Sequence, residues 1–396
     1  MTMKTFFVLA GLLASTLTTA QRVVLADIWK PDLELTNGTI LGFNATLSKR
    51  QFNSVLTQKS DRSLYWINVT IGTPGQKQSM QLDTGSSSVL VPATGSGLCR
   101  QSTTVGFVDG GSVTGNWFYD TVRVGGKAIK SQLSVLGTSG SGLSEGVLGI
   151  GFPASYPTIN HNLAARGVIA SNSYSIWLDS LSSSSGTILF GGLNTARFVA
   201  PLKKIPVLGS TNADGSVSYN LPSVALTRVA TLQGSTRTVQ TPSGYSEPAM
   251  LDTGTPVTIL QQSLADAVIA ALGASYYPSG STSGNAVIPC AAASNSQSIN
   301  FHFSGTSGPT INVPISQLVL ANLGTVSGVA WCQFGIYGAA DSQNLATVLG
   351  DSFLRSAYAV YDLDHHQIGL AQTLHNGGAA NIMEIGANGI PIGDDA

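Results

Sequence analysis

The chain has 396 residues, a formal net charge of −1 and only 10% charged side chains. That length supports two ordinary domains with cores of their own, and the near-neutral charge offers no basic field for nucleic acid. The 45 glycines, set among many serines and threonines with no long helical periodicity, point to an all-β protein rich in turns.

Residues 1–20 read as a secretory signal: Lys4 precedes an apolar run from Phe6 to Ala14, and Thr18-Thr19-Ala20 offers small residues for cleavage. The run is short for a bilayer span, so a stable membrane anchor is not expected, and no apolar C-terminal tail suggests a GPI signal. Residues 21–50 read as a propeptide ending in Ser48-Lys49-Arg50, where a dibasic processing protease of the secretory pathway would cut. Asn37, Asn44 and Asn68 each open a glycosylation sequon. Secretion permits disulfides, and three cysteines, Cys99, Cys290 and Cys332, leave one unpaired.

From Leu64 to Ile71 the residues alternate as a strand. Gly72 to Gln76 make a turn, and Gln78 to Leu82 return into Asp83-Thr84-Gly85-Ser86-Ser87. A second hairpin spans Gly106 to Gly126, with its tip at Phe107 to Ser112 and its return at Trp117 to Val124. Gly146-Val147-Leu148-Gly149 follows, then helical pieces near Asn160 to Arg166 and at Ser263 to Leu272. Between those pieces the chain repeats its first motif as Met250-Leu251-Asp252-Thr253-Gly254-Thr255, and later its second as Thr347-Val348-Leu349-Gly350. Tyr358 to Asp362 and Gln367 to Ala371 make a last hairpin.

One Asp-Thr-Gly is an ordinary turn. Two copies with matching flanks suggest two lobes facing each other with a carboxylate apiece. Glycine lets each turn tighten without a Cβ in the way, and each threonine hydroxyl can bond across to the other turn. Two carboxylates held together cannot both ionise easily, so one keeps a proton; the aspartic-protease dyad is the standard example of that split. Such a pair can activate water as a base while donating a proton to a carbonyl. The five histidines show no metal spacing, His365-His366 sits in a turn as a solvated pair, and no cofactor is called for. A metal-binding carboxylate pair is a poor alternative, because no third ligand is spaced to join it.

These motifs resemble the pepsin-like aspartic proteases, and the tail Ala379 to Ile385 with the Lys-Arg site resembles their fungal secreted yapsin and candidapepsin branch. The resemblance covers roughly 63–385. It implies a bilobal pepsin-like acid protease fold of two pseudo-symmetric β lobes with a cleft between them: a first lobe at 51–178, a second at 179–372 and a tail at 373–396. It implies that Asp83 and Asp252 are catalytic, supported by Thr84, Gly85, Ser86, Thr253, Gly254 and Thr255. Phe107, Asp109 and Gly110 would meet substrate from a flap, Lys30 would approach the dyad in the zymogen, and Cys290 would pair with Cys332. The implied activity is endopeptidase cleavage of protein or peptide substrates at acidic pH by a secreted monomer. A catalytically silent homologue that binds peptides, glycans or proteins is the alternative.

Two departures stand out. The interval from Asp83 to Val147 is clearly shorter than that from Asp252 to Val348, with the loss between Pro92 and Phe107; either the first lobe is stripped of a loop or a piece of the transcript is missing. The flap tyrosine of the family corresponds to Phe107, and the tryptophan after the first Asp-Thr-Gly to Leu90, so both partners of a family hydrogen bond are absent together.

Overall fold

The computed structural model describes residues 22–29, 64–92, 102–106, 112–141, 146–153, 156–183, 185–343 and 345–391. Lys30, Asn37, Asn44, Lys49, Arg50, Cys99, Phe107, Asp109 and Gly110 lie outside them, as do the signal segment and most of the propeptide.

The described chain is mostly strand, with few helices. In the first half these are β1 (Val24–Trp29), β2 (Trp66–Ile71), β3 (Gln76–Asp83), β4 (Val89–Pro92), β5 (Ser102–Gly106), β6 (Ser112–Val124), β7 (Lys127–Ser141), β8 (Gly146–Gly149), β9 (Ser173–Leu178) and β10 (Ser185–Phe190). They join three later strands in a 13-stranded sheet ordered Phe198–Pro206, Gln367–Thr373, Ala357–Asp362, β9, β10, β1, β2, β3, β8, β4, β7, β6, β5. An 11-stranded second sheet is built around Glu247–Leu251, Thr258–Gln261, Val329–Ala339 and Thr347–Leu349. The last hairpin, Ala357–Asp362 with Gln367–Thr373, returns from the second half of the chain to the first sheet. The first sheet therefore runs continuously past residue 178, and the two halves are stitched together through β9, β10 and that hairpin.

β1 was not legible as an element. It lies inside the stretch read as a propeptide, yet it pairs along its whole length with β10, from Val24 opposite Phe190 to Trp29 opposite Ser185, and touches β2 at Ile28 opposite Ile67. Alternation explains its fit: Val24, Ala26 and Ile28 face the core, while Leu25 and Asp27 face out. Arg22, just before it, forms an ion pair with Glu384 at 3.7 Å. Glu384 ends a short strand, Ile382–Glu384, paired with Gly192–Asn194. The C-terminal tail is thus docked, and Ile385 and Ile390 are buried there beside Leu193.

Helices are short. Gln262–Ala271 buries Leu264, Ala265, Val268 and Ile269, a stripe at helical spacing whose larger members each contribute roughly 1.5–3 kcal/mol by leaving water. Ile159–Ala165 begins at Thr158, whose side chain accepts the N–H of His161. Among the described residues no helix is long and apolar enough to cross a membrane.

Candidate active site

Each half of the chain builds the same crossing beneath its Asp-Thr-Gly turn. β3 runs parallel to β8, with Leu82 opposite Leu148 and Asp83 opposite Gly149, and β4 returns antiparallel on the other side of β8. In the second half Glu247–Leu251 runs parallel to Thr347–Leu349, and Thr258–Gln261 returns antiparallel to it. Both apolar-apolar-Gly strands end beneath a loop with no room for a side chain: a Cβ on Gly350 would stand 2.2 Å from the Thr255 carbonyl oxygen, and one on Gly149 2.5 Å from the Ser88 nitrogen. Burying the strand on both faces fixes where each aspartate emerges.

The two threonines join the turns. The N–H of Thr84 donates to Thr253 Oγ1 at 3.2 Å, and the N–H of Thr253 donates to Thr84 Oγ1 at 3.0 Å. Each hydroxyl then donates onward, Thr84 to the Leu251 carbonyl at 2.9 Å and Thr253 to the Leu82 carbonyl at 2.8 Å. All four groups are buried, so the pairing supplies acceptors and donors that water cannot reach.

This brings Asp83 and Asp252 face to face. The Gly85 N–H donates to Asp83 Oδ1 at 2.8 Å and to Asp252 Oδ1 at 3.1 Å, so one donor spans both carboxylates. The Gly254 N–H donates to Asp252 Oδ1 at 2.8 Å. Glycine is required at both turns, because a Cβ on Gly85 would lie 2.7 Å from Asp252 Oδ1 and one on Gly254 would lie 2.6 Å from Asp83 Oδ1. The outer oxygens are held unequally: Thr255 Oγ1 donates to Asp252 Oδ2 at 2.6 Å, whereas the buried Ser86 Oγ makes no hydrogen bond of ordinary geometry.

Burial and the charge of Asp252 hold the Asp83 carboxyl well above the usual carboxylate range, and the Ser86 hydroxyl and Gly85 N–H oppose that rise only in part. Aromatic rings lie behind the turns: Tyr174 and Tyr361 stack with centroids 4.7 Å apart, and the Tyr361 hydroxyl donates to the Leu251 carbonyl at 3.4 Å. A desolvated wall of this kind is what makes two neighbouring carboxylates share a proton.

Several residues at the site carry no sequence motif. Gln81 Nε2 donates to the Gly254 carbonyl at 3.2 Å, linking the two turns a third way; only its place two residues before Asp83 hints at this. Trp117 meets Tyr156 edge-on at 4.8 Å, and the Tyr156 hydroxyl bonds Ser88 Oγ in the segment that leaves the first turn. Leu90 is buried with Val113, Val135 and Val147, with Trp117 packed against them.

The other predicted positions lie away from the dyad. Asn68 is exposed on β2 and accepts a hydrogen bond from Ser79 Oγ at 2.7 Å. Cys290 and Cys332 are disulfide-bonded, with Cα atoms 5.0 Å apart. The His365-His366 turn lies at the surface, as expected: His365 is exposed and His366 half-buried. Each ring also has a partner in the fold: His365 Nδ1 lies 3.0 Å from Asp362, and His366 stacks on Tyr219 with centroids 3.7 Å apart. No group of three or more potential metal ligands occurs among the described residues.

Comparisons with known proteins agree with this geometry. The family described as "Eukaryotic aspartyl protease" matches residues 64–107 and 93–373. The chain is 34% identical over 377 residues to "Probable aspartic-type endopeptidase opsB" of Aspergillus fumigatus, covering 85% of this chain and 75% of that protein. It is 35% identical over 344 residues to "Secreted aspartic protease 8" of Candida albicans, covering 78% of this chain and 75% of that one. The crystal structure of an aspartic proteinase from Irpex lacteus superposes with a TM-score of 0.63 at 22% identity, covering 81% of this chain and 97% of that chain, a likeness of fold.

Proposed function

This chain belongs to the eukaryotic aspartyl protease family, and from that premise we propose that Asp83 and Asp252 carry its endopeptidase activity. The protein hydrolyses peptide bonds in protein or peptide substrates. The relatives' names favour that activity over a silent binding role. The observation that carries the assignment of residues is the single Gly85 N–H shared between the two carboxylates.

The chemistry follows from the shared proton. One carboxyl is neutral and the other ionised, and the proton belongs to the pair. The ionised carboxylate takes a proton from a water molecule as its oxygen bonds to the scissile carbonyl carbon. The neutral carboxyl gives its proton to the carbonyl oxygen. The C–N bond of the tetrahedral diol then breaks as the protonated carboxyl gives its proton to the leaving amine and the ionised carboxylate takes a proton from a diol hydroxyl, which returns the pair to one proton; no covalent enzyme intermediate forms. The reaction needs one proton on the pair, which favours acidic conditions. Strand-like backbone pairing would hold an extended peptide in the cleft, with Phe107, Asp109 and Gly110 closing over it.

The secreted Candida relative and the N-terminal apolar run support export of this chain. The Lys49-Arg50 pair supports production as a zymogen cut by a dibasic protease. The mature enzyme acts as a monomer. The test is cleavage of denatured haemoglobin at acidic pH, blocked by pepstatin and lost in both Asp83→Asn and Asp252→Asn. Near wild-type turnover in either variant overturns the assignment.

A further inference from the structure

On the second sheet, away from the dyad, one imidazole is held between two guanidinium groups. His302 sits on the strand Ser298–Phe303 and is 8% exposed. Arg228 reaches it from the neighbouring strand Ser223–Gln233, with Nη2 3.1 Å from His302 Nδ1. Arg237, on the hairpin strand Thr236–Val239, places Nη2 2.6 Å from His302 Nε2. From the other side, Thr310 Oγ1 lies 2.6 Å from His302 Nδ1. The register supports the convergence, since His302 stands opposite both Arg228 and Thr310.

The donors outnumber the acceptors. A neutral imidazole has one lone pair to offer. If Nδ1–H donates to Thr310, Nε2 accepts from Arg237, and the Arg228 Nη2 beside Nδ1 has no acceptor there. The buried Nε of Arg228 has none either. No carboxylate answers the two positive charges: among the described residues the ion pairs are Arg22–Glu384, His365–Asp362 and His375–Asp179. Burial, then the charges of Arg228 and Arg237, push the His302 pKa down to about 4, so the imidazole stays neutral to preserve what balance exists. Arg237 is exposed, which opens the cluster to solvent on one side.

We infer that Arg228, His302, Arg237 and Thr310 form a binding site for a tetrahedral oxyanion, a phosphate or sulfate group, separate from the proteolytic centre. Two guanidiniums and a hydroxyl match its several acceptor oxygens, and its negative charge answers their positive charge. Binding relieves the repulsion on the imidazole, so His302 takes a proton more readily with the anion in place, and affinity for sulfate, which keeps its charge, rises as pH falls.

The test uses the full chain at pH 5 with sodium sulfate, inorganic phosphate and sodium chloride at matched ionic strength, read by thermal shift and calorimetry. Sulfate and phosphate should raise Tm saturably over chloride, and Arg237→Gln should weaken binding at least tenfold while leaving casein cleavage in chloride unchanged. The imidazole signal of His302, followed by NMR, should titrate higher with sulfate in the wild type and not in Arg237→Gln. Tighter binding of a phosphoserine peptide or a sugar phosphate than of the inorganic ion supports the site and assigns its source to an ester; equal binding supports it with the free ion as ligand. An adventitious ion only, meaning a shift that does not saturate or that survives in Arg237→Gln, overturns it.

Discussion

Trp117 packs against Leu90, in a cluster shared with Val113, Val135 and Val147. Leu90 occupies the position at which the resemblance to pepsin-like enzymes places tryptophan, so the large ring of this wall comes from β6 instead. The same indole meets Tyr156 edge-on, and Tyr156 holds Ser88. Through that chain β6 is tied to the segment leaving the Asp83 turn.

The first prediction follows from that packing. Leu90→Trp alone overfills a closed site and costs about 1–3 kcal/mol. Trp117→Leu alone leaves space and loses the ring contact, a loss of ~1–3 kcal/mol. The double variant exchanges the volumes, and a double-mutant cycle on Tm should show coupling of about 0.5–3 kcal/mol in favour of the pair. Additivity would mean that the two side chains do not share a site.

A second prediction concerns Thr253. Thr253→Val keeps the shape but removes the donor to the Leu82 carbonyl and the acceptor for the Thr84 N–H. Each stranded buried group costs about 1–3 kcal/mol, and the carboxylates lose their mutual register. Both Tm and kcat/KM should fall, and Thr253→Ser should restore most of each. If Thr253→Val kept wild-type kcat/KM, the threonine pair would not be what aligns the dyad.

Ile28 gives a third. It is 1% exposed in β1, in the middle of the first sheet. Ile28→Ala in the uncut protein should cost about 2–5 kcal/mol, as for other buried aliphatic truncations, seen as a lower urea midpoint. An unchanged midpoint would show that β1 does not contribute to the stability of the uncut chain.

Much of the site was legible because its signal is local and repeated. Asp83-Thr84-Gly85 and Asp252-Thr253-Gly254, each followed by an apolar-apolar-Gly strand, carry the crossing beneath each turn in a few residues. β1 was hidden because a six-residue alternation is short and gains meaning only from β10, far along the chain. Gln81 and Tyr156 were hidden because their partners are a carbonyl and a serine hydroxyl brought near by the fold, with no fixed spacing. The surroundings of His302 were hidden because its neighbours, Arg228 and Arg237, come from other strands.

The disulfide supplies a fourth prediction. Cys290 and Cys332 are separated by 42 residues, and closing a loop of that size stabilises by about 4 kcal/mol in the chain-entropy account. Cys290→Ala with Cys332→Ala should lower the urea midpoint accordingly. The dyad lies on other strands of the lobe, so kcat at a temperature well below Tm should change little. A large loss of kcat with an unchanged midpoint would place the bond's role at the active site instead.

The last prediction is about pH. In the unfolded chain the Asp83 carboxyl titrates near the usual value of about 4; in the fold, burial and Asp252 hold it well above that. Between the two values the native state binds more protons than the unfolded state. Stability from this group is therefore fully present below about pH 4 and is lost as pH climbs toward the raised value. An asparagine at position 83 does not titrate and carries no such dependence. The wild type should lose Tm between pH 4 and pH 7 more steeply than Asp83→Asn, and the variant should gain on it toward neutrality even though it cleaves nothing. Equal slopes would assign the acid preference to other groups and leave Asp83 an ordinary ionised carboxylate, which could not hold the proton that the proposed mechanism gives to the carbonyl oxygen.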